Sequence, residues 1–508
     1  MAPMLSSIAS FAIDGVDSRE IAVEVDLRRG LPAFSIVGLP DAGVREARER
    51  VRGALLNSGL EFPLQRVTAN LAPAHVRKAG ATFDLALATG LLAASGQVPT
   101  EDLGRYALCG ELSLSGTVRP VYGTLALALG ARRCGYARLV VPAVNASEAA
   151  LVDGLDVIGV ETMTELVQLL RGERTPEPVA PLAPSTGAQD GDFADVRGQE
   201  DAKRALEIAA AGGHNLIMIG PPGAGKTMLA RRLPTILPPP TFDEAVEITR
   251  VHSVAGIGTG RLAAERPFRA PHHTISGPGL IGGGGTPRPG EVTLAHRGVL
   301  FLDEMAEFSR AALEGLRQPL ESGEVEVMRG QTHMRFPANV MLVGACNECP
   351  CGRPRGDCKC SELVTARYHQ RLSGPLLDRI DLLCSVSAPS REDLVDSSRP
   401  SSAEPSAEIR TRVVAARQRQ TARLAGAPAL CNAQMDGPLT RAMVRLPGGA
   451  RAMLRVPETP SDLSGRAHDR VLRLARTIAD LDAREDVTAD DVAEALGYKL
   501  TLPEMAAA

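Results

Sequence analysis

Gly220-Pro221-Pro222-Gly223-Ala224-Gly225-Lys226-Thr227 decides how this sequence folds. It has the form G-x-x-x-x-G-K-[ST], the phosphate-binding loop of nucleotide-hydrolysing proteins. The residues before it, Asn215-Leu216-Ile217-Met218-Ile219, form a short apolar run of the kind that becomes a buried parallel strand. Those after it, Thr227-Met228-Leu229-Ala230-Arg231-Arg232-Leu233, read as the first turns of a helix. Strand, Gly-rich loop and helix N-terminus together make an anion site. Backbone N–H groups converge on the phosphates and the helix dipole favours their charge. In this arrangement Lys226 reaches the β- and γ-phosphates and the Thr227 hydroxyl holds Mg²⁺.

The bulk numbers are compatible with this reading. A length of 508 residues corresponds to about three domains. Hydrophobic residues make up 44% and charged residues 23%, an ordinary globular balance. A net charge of −4 excludes a strongly basic protein, although a local basic channel could still carry nucleic acid. There is no Trp and only 3% aromatic residues, which argues against a base-stacking platform. No run approaches the ~18 apolar residues of a membrane span. The start, Met1-Ala2-Pro3-Met4-Leu5, lacks the basic and apolar regions of a signal peptide. The expected location is the cytoplasm, with no membrane partner. In that reducing compartment the nine Cys are expected to be thiols or metal ligands.

Residues 1–172 mix strand and helix signals. Strands are expected over 7–13, 21–27, 67–71, 139–142 and 157–160. Helices are expected over 42–56, where Val44, Ala47, Val51 and Leu55 share one face, and over 84–94. Residues 173–191 are Pro-rich and polar, and read as a linker. The nucleotide core follows over 192–395, starting with a helix over 199–211, and a helical lid over 396–508. Across that boundary 392–408 reads as a polar loop, followed by 407–425 as a basic helix. Val471 to Leu481 is amphipathic, and Thr488 caps a final helix with acids in its first turn. Residues 261–298 are a Gly/Pro-rich stretch with no regular pattern. A structureless segment of that length inside a compact domain is usually functional.

A second group of motifs surrounds the P-loop. Gly298-Val299-Leu300-Phe301-Leu302-Asp303-Glu304 is an apolar strand ending in two acids, the form of a Walker B motif. Asp303 would bind the Mg²⁺ shell and Glu304 would orient and polarise the attacking water. Residues 324–329 and 332–336 alternate as a hairpin around Gly330-Gln331. The strand over 339–345 ends near Asn347, whose side chain could touch the γ-phosphate or the lytic water. Cys349, Cys351, Cys358 and Cys360 place four thiols on a Gly/Pro/Arg loop. A Cys₄ zinc site and a loop of reduced thiols both fit, because C-x-C is tighter than the usual C-x₂₋₄-C. Arg379 stands between Asp378 and Asp381, where a local salt bridge is the plain alternative to a catalytic role.

Taken together, these motifs resemble an AAA+ ATPase. Asp195-Val196-Arg197-Gly198-Gln199, Arg269-Ala270-Pro271-His272-His273-Thr274, Pro287-Arg288-Pro289-Gly290-Glu291 and the Cys349/Cys351 loop narrow the resemblance to the magnesium-chelatase-like YifB/ComM family. The resemblance spans essentially the whole chain. It implies a multidomain α/β protein: a Lon-protease-like α+β N-terminal domain, a central AAA+ P-loop α/β domain and a C-terminal helical lid. It assigns Lys226 and Thr227 to Walker A, Asp303 and Glu304 to Walker B, and Asn347 to sensor 1. Arg379 matches the arginine finger, acting in trans, and Arg466 matches sensor 2, with Arg470 one turn further on. The implied cofactors are ATP and Mg²⁺. The implied partners are the chain itself in a ring, typically a hexamer, single-stranded or branched DNA, and recombination proteins. ComM-type proteins are ring helicases that promote branch migration during natural transformation.

The N-terminal domain departs from the Lon pattern. Gly110 to Pro120 looks like the segment before the Lon catalytic Lys, yet Gly123-Thr124-Leu125-Ala126 offers none. Lys78-Ala79-Gly80-Ala81-Thr82-Phe83-Asp84, where the nucleophile is expected, has no Ser. A Ser–Lys dyad needs both partners, so peptide hydrolysis is not expected. A chelatase-type remodeller of a protein partner is the main alternative to a DNA motor. Arg261, Arg266, Arg269, Arg288, Arg297, Arg329 and Arg335 would contact phosphates if they line a pore, and are solvated surface residues if they do not.

Overall fold

A computed structural model describes residues 5–76, 78–185, 191–284, 287–329, 332–353, 358–388, 403–454 and 465–498. The expected turn at Gly330-Gln331, the polar segment 392–402 and the start of the Ser464 stretch lie outside them, as do 186–190 of the linker. The chain forms two compact units. One comprises Met1–Ser185 with Phe242–Ala264, the other Thr186–Thr241 with Glu265–Ala508.

The first unit is built on a seven-stranded mixed sheet. Its spatial order is Ala33–Val37, Arg66–Ala72, Asp17–Arg28, Leu5–Asp14, Tyr106–Leu108, Arg138–Pro142 and Asp156–Val160. Helix Ala42–Asn57 starts where the Asp41 carboxylate accepts the Val44 N–H at 2.8 Å. It buries Val44, Ala47, Val51 and Leu55, the face read from the sequence. Helix Asp84–Ala94 is buried on every side, which is why its sequence is apolar all round. Its first residue, Asp84, is fully buried. Arg50 donates to it through Nε at 2.6 Å and Nη2 at 2.9 Å, and the Leu112 N–H donates at 3.2 Å. Burial nevertheless pushes the Asp84 carboxyl up to about 6, against the pull of Arg50.

Residues 242–264 were expected within the nucleotide core, but they pack in the first unit. Helix Phe242–Ala255 buries Ala245, Ile248 and Val251. Arg250 pairs with Asp17 at 2.7 Å, and the Ser253 carbonyl accepts the Gly123 N–H at 3.1 Å. Strand Arg261–Ala263 then pairs in parallel with Leu182–Ser185, so part of the expected linker is a strand. The stretch 261–298 is not structureless either. It contains strand Phe268–Arg269, helices Gly277–Ile281 and Glu291–Leu294, and a short ladder of Gly282–Gly283 with Arg288–Pro289. Its elements are two to five residues long, too short for any periodicity to show.

The second unit is a parallel sheet of five strands in the order Phe268–Arg269, Val299–Leu302, Met341–Cys346, Leu216–Ile219 and Leu382–Ser385. Val299–Leu302 and Met341–Cys346 are buried at every position, as continuous apolar runs in a covered parallel sheet must be. Helices Glu200–Gly212, Lys226–Ile236, Ser406–Arg423 and Gly465–Leu481 share one hydrophobic core with the sheet. The hairpin of Glu324–Arg329 with Thr332–Pro337 is present, with Val325 opposite Phe336 and both buried at its base. The last helix, Ala489–Gly497, opens with a capping box between Thr488 and Asp491.

Replacing Asp84 by Ala leaves Arg50 without its partner and the Leu112 N–H without its acceptor. The expected cost is about 3–5 kcal/mol to the first unit, read by chemical denaturation of the full chain.

Candidate functional site: a nucleotide pocket and a distant arginine pair

The P-loop leaves the C-terminal end of strand Leu216–Ile219, and its glycines have distinct tasks. A Cβ at Gly220 would lie 2.0 Å from the Val386 carbonyl oxygen, so only glycine lets the loop turn there. Gly223 and Gly225 take φ of 76° and 90°, in the left-handed region. Helix Lys226–Ile236 starts directly afterwards and aims its N-terminal amides into the loop.

Lys226, Thr227, Asp303, Glu304 and Asn347 lie together here. Lys226 Nζ donates to the carbonyls of Gly220 and Pro221 at 2.6 and 2.9 Å, and to Asn347 Oδ1 at 3.1 Å. Burial pulls this ammonium below its ordinary range, opposed by the charge of Asp303. The Thr227 hydroxyl donates to Asp303 Oδ2 at 2.8 Å. A hydroxyl and a carboxylate meeting beside a phosphate loop are hard oxygen ligands suited to Mg²⁺, so the residues present fit that ion. Glu304 follows with φ of 50°, its own N–H donating to Asp303 Oδ1 at 3.0 Å. In this left-handed conformation the Glu304 side chain is 54% exposed.

Some partners were not read from sequence. His273 Nδ1 lies 3.3 Å from Glu304 Oε2, and the His273 ring meets Phe308 edge-on at 6.5 Å. The pair His272-His273 belongs to the Gly/Pro-rich stretch 261–298, whose sequence carries no local signal of its relation to Glu304. Arg371 donates to the Ala306 carbonyl at 2.9 Å and to Glu307 at 2.6 Å, bracing the turn after the acids. Gln199, itself at φ of 62°, donates to the Ser387 carbonyl at 2.6 Å.

Arg379 and Arg466 are elsewhere. Both line a cleft of about 600 Å³ with Asn215, Glu321, Asp378 and Arg473. The Asn215 side chain accepts the Leu342 N–H at 2.8 Å and donates to the Arg379 carbonyl at 2.9 Å. The cleft is therefore at the strand's N-terminal end, roughly 16 Å along the chain from Gly220. Arg379 pairs with neither flanking acid. Its guanidinium donates to Glu321 and to the Pro375 carbonyl, and this hydrogen bond holds the Glu321 carboxyl below its usual range. Arg470 is occupied by the Ile380 carbonyl at 2.6 Å. Arg266 and Arg269, read from sequence either as phosphate contacts or as solvated surface residues, make bonds within the fold. Arg269 grips Glu291 with two bonds of 2.6 and 2.8 Å, and Arg266 binds the Pro238 and Arg297 carbonyls.

The four expected metal-ligating thiols also come together. The Sγ atoms of Cys349, Cys351, Cys358 and Cys360 all lie within 4.8 Å of one another. In the first unit, Lys78 is buried and donates to the Pro73 carbonyl, while the Ser113, Ser115 and Thr117 hydroxyls bond one another. Among the described residues no helix is long and apolar enough to cross a membrane.

Three family descriptions match the sequence: "Subunit ChlI of Mg-chelatase" over residues 23–145, "Magnesium chelatase, subunit ChlI" over 192–394, and "Magnesium chelatase, subunit ChlI C-terminal" over 403–499. The chain is 41% identical to YifB of Escherichia coli over 497 residues, covering 97% of each protein. It is 41% identical to competence protein ComM of Haemophilus influenzae over 502 residues, again 97% of each. Similarity to Lon protease 2 of Bacillus subtilis is partial, 30% over 181 residues and 31% of this chain.

Glu304→Gln is expected to keep nucleotide binding and to lower kcat by about 100-fold or more. Lys226→Ala is expected to weaken ATP binding by about 10-fold or more. His273→Ala should lower kcat less than Glu304→Gln. Steady-state ATPase assays with a fluorescent nucleotide titration check all three.

Proposed function

Because this chain belongs to the magnesium-chelatase-like YifB/ComM family, we propose that its ATPase motor works as a ring and moves DNA. Family membership supports the motor itself, with ATP and Mg²⁺ as its chemistry. The ring and its cargo are the proposed part.

The observation that carries the ring is the separation of two halves of one catalytic apparatus. Lys226, Thr227, Asp303, Glu304 and Asn347 gather at one end of the parallel sheet. Arg379 and Arg466 gather in a cleft at the other end of the P-loop strand. An arginine there does not reach a phosphate held by its own chain. Seated against a neighbour's P-loop, it stabilises the charge that develops on the transferring phosphoryl group. Closed rotational symmetry then supplies every site with one arginine pair, and a hexamer is the expected count.

For the cargo, the resemblance to ComM-type helicases points to single-stranded or branched DNA. The hairpin after the acid strand presents Met328, 77% exposed, and Arg335, whose side chain is 64% exposed. A non-stacking, backbone-tracking contact fits a chain without Trp. Recombination proteins are the proposed partners and the cytoplasm the proposed location. The matches to chelatase subunits favour a second reading, a remodeller that drives metal insertion through a protein partner. The Lys78 geometry gives no support to a protease.

Branched or single-stranded DNA should stimulate ATP turnover, and the wild type but not Lys226→Ala should drive branch migration on a three-stranded joint. DNA that neither binds nor stimulates would sink the DNA motor and leave the remodeller. Arg379→Ala should lower kcat by about 1000-fold. Mixing it with Lys226→Ala should restore partial turnover, since a ring then contains intact composite sites. No recovery in mixed rings would contradict action in trans.

A further inference from the structure

We propose that Cys349, Cys351, Cys358 and Cys360 bind one zinc ion, and that this ion clamps sensor residue Asn347 and the P-loop into working register. The site is a metal clasp on the ATPase centre.

The distances fit a single tetrahedral ion. Cys349 Sγ lies 3.1 Å from Cys358 Sγ and 3.4 Å from Cys351 Sγ, and Cys351 lies 3.6 Å from Cys358. No two of the four are more than 4.8 Å apart. Four Zn–S bonds of about 2.3 Å in tetrahedral array put sulfurs about 3.8 Å apart, inside this range. All four thiols are free, and their separations are well beyond the ~2.05 Å of a disulfide. Four thiolates in tetrahedral array select zinc over magnesium or calcium. Cys349 is buried and its Sγ is 4.0 Å from the Thr365 hydroxyl, an outer partner for a thiolate. Cys351 is exposed, which gives the ion an entry path.

The loop needs such an anchor. Between Cys346 and Glu362 the described residues contain no helix or strand. A segment of that length beside a catalytic centre holds its shape poorly by backbone bonding alone. Its attachments lead into the nucleotide pocket. Asn347, which accepts from Lys226, is two residues from Cys349. Gly352 sits against the P-loop so closely that a Cβ there would lie 2.8 Å from Pro222 Cγ. On the far side, helix Glu362–His369 follows Cys360, and His369 Nε2 lies 3.1 Å from the Glu348 carbonyl oxygen. Arg371 then reaches the Ala306 carbonyl and Glu307, next to the acid pair. The cluster is thus tied to the P-loop, the sensor and the acid turn at once. The clamping half of the proposal rests on the reading of Lys226 and Asn347 as ATP-handling groups; the metal half does not.

The test uses the full chain purified without added metal or chelator. Elemental analysis should give about one zinc per chain, and cobalt exchange should give an intense thiolate-to-cobalt charge-transfer band. Less than about half an equivalent, with no cobalt band, overturns the metal half. Chelation, and separately Cys351→Ser with Cys360→Ser, should lower kcat about 10-fold or more while nucleotide affinity shifts less than about threefold. Hydrogen exchange over residues 341–352 should quicken on metal loss, a readout independent of turnover and of whether the variants fold as stably. Zinc whose removal changes neither kcat nor this exchange overturns the clamp. A zinc-loaded protein that hydrolyses no ATP overturns the ATPase reading instead, and the exchange measurement still decides the clamp.

Discussion

The site depends on one constraint of sheet order: strand Met341–Cys346 lies between the P-loop strand and the strand that carries the two acids. Without it, Asp303 and Lys226 would have no shared frame. With it, the Gly220 N–H donates to the Cys346 carbonyl at 3.2 Å, and Asn347 emerges level with the Lys226 ammonium. On the other side, strand Leu382–Ser385 runs on to Val386, whose carbonyl leaves room only for glycine at position 220. The loop is therefore positioned by backbone on both flanks. Its side chains inherit that precision, as preorganised electrostatic catalysis requires.

A buried polar network fixes the lid helices to the same sheet. The His214 ring lies between Asp381 and Thr477, at 3.1 and 2.8 Å, joining the start of the P-loop strand to helix Gly465–Leu481. Burial draws His214 below its usual range. Asp480, also buried, gathers Arg423, Arg476 and Asn432. Such groups are costly unless all are paired, so the network favours one lid position over others of similar apolar burial. Asp381 is two residues from Arg379. Lid placement and arginine placement are thereby linked through a few bonds.

Legibility in the sequence followed the length and regularity of each pattern. The P-loop, the acid strand, the hairpin and the Thr488 cap were readable because each combines fixed spacing with a local physical cause. Lys226 lies against Asn347 and Thr227 against Asp303. What was lost is non-local. His273 meets Glu304 only because Phe268–Arg269 pairs with Val299–Leu302, and a two-residue strand leaves no period to detect. Arg379 was read against its sequence neighbours, whereas its carboxylate partner, Glu321, is 58 residues away. Helix Phe242–Ala255 carries an ordinary apolar face, and nothing local says which core will receive it. Arg269 could be read as a phosphate contact or a surface residue, because charge is visible in a sequence and bidentate pairing with Glu291 is not.

The assignment of Phe242–Ala264 to the first unit bears on how the protein is made. The chain leaves that unit after Ser185, returns at Phe242 and leaves again after Ala264. Residues 220–227 must therefore be synthesised before the first unit has all its parts. Domains commonly fold in order as they leave the ribosome. Here the strand Leu182–Ser185 waits for Arg261–Ala263, and Glu148 waits for Ser253. The first unit has all its parts only after the P-loop has been made, and before the rest of the motor. The two are made interleaved, and cutting the chain at its Pro-rich stretch would separate the first unit from Phe242–Ala264.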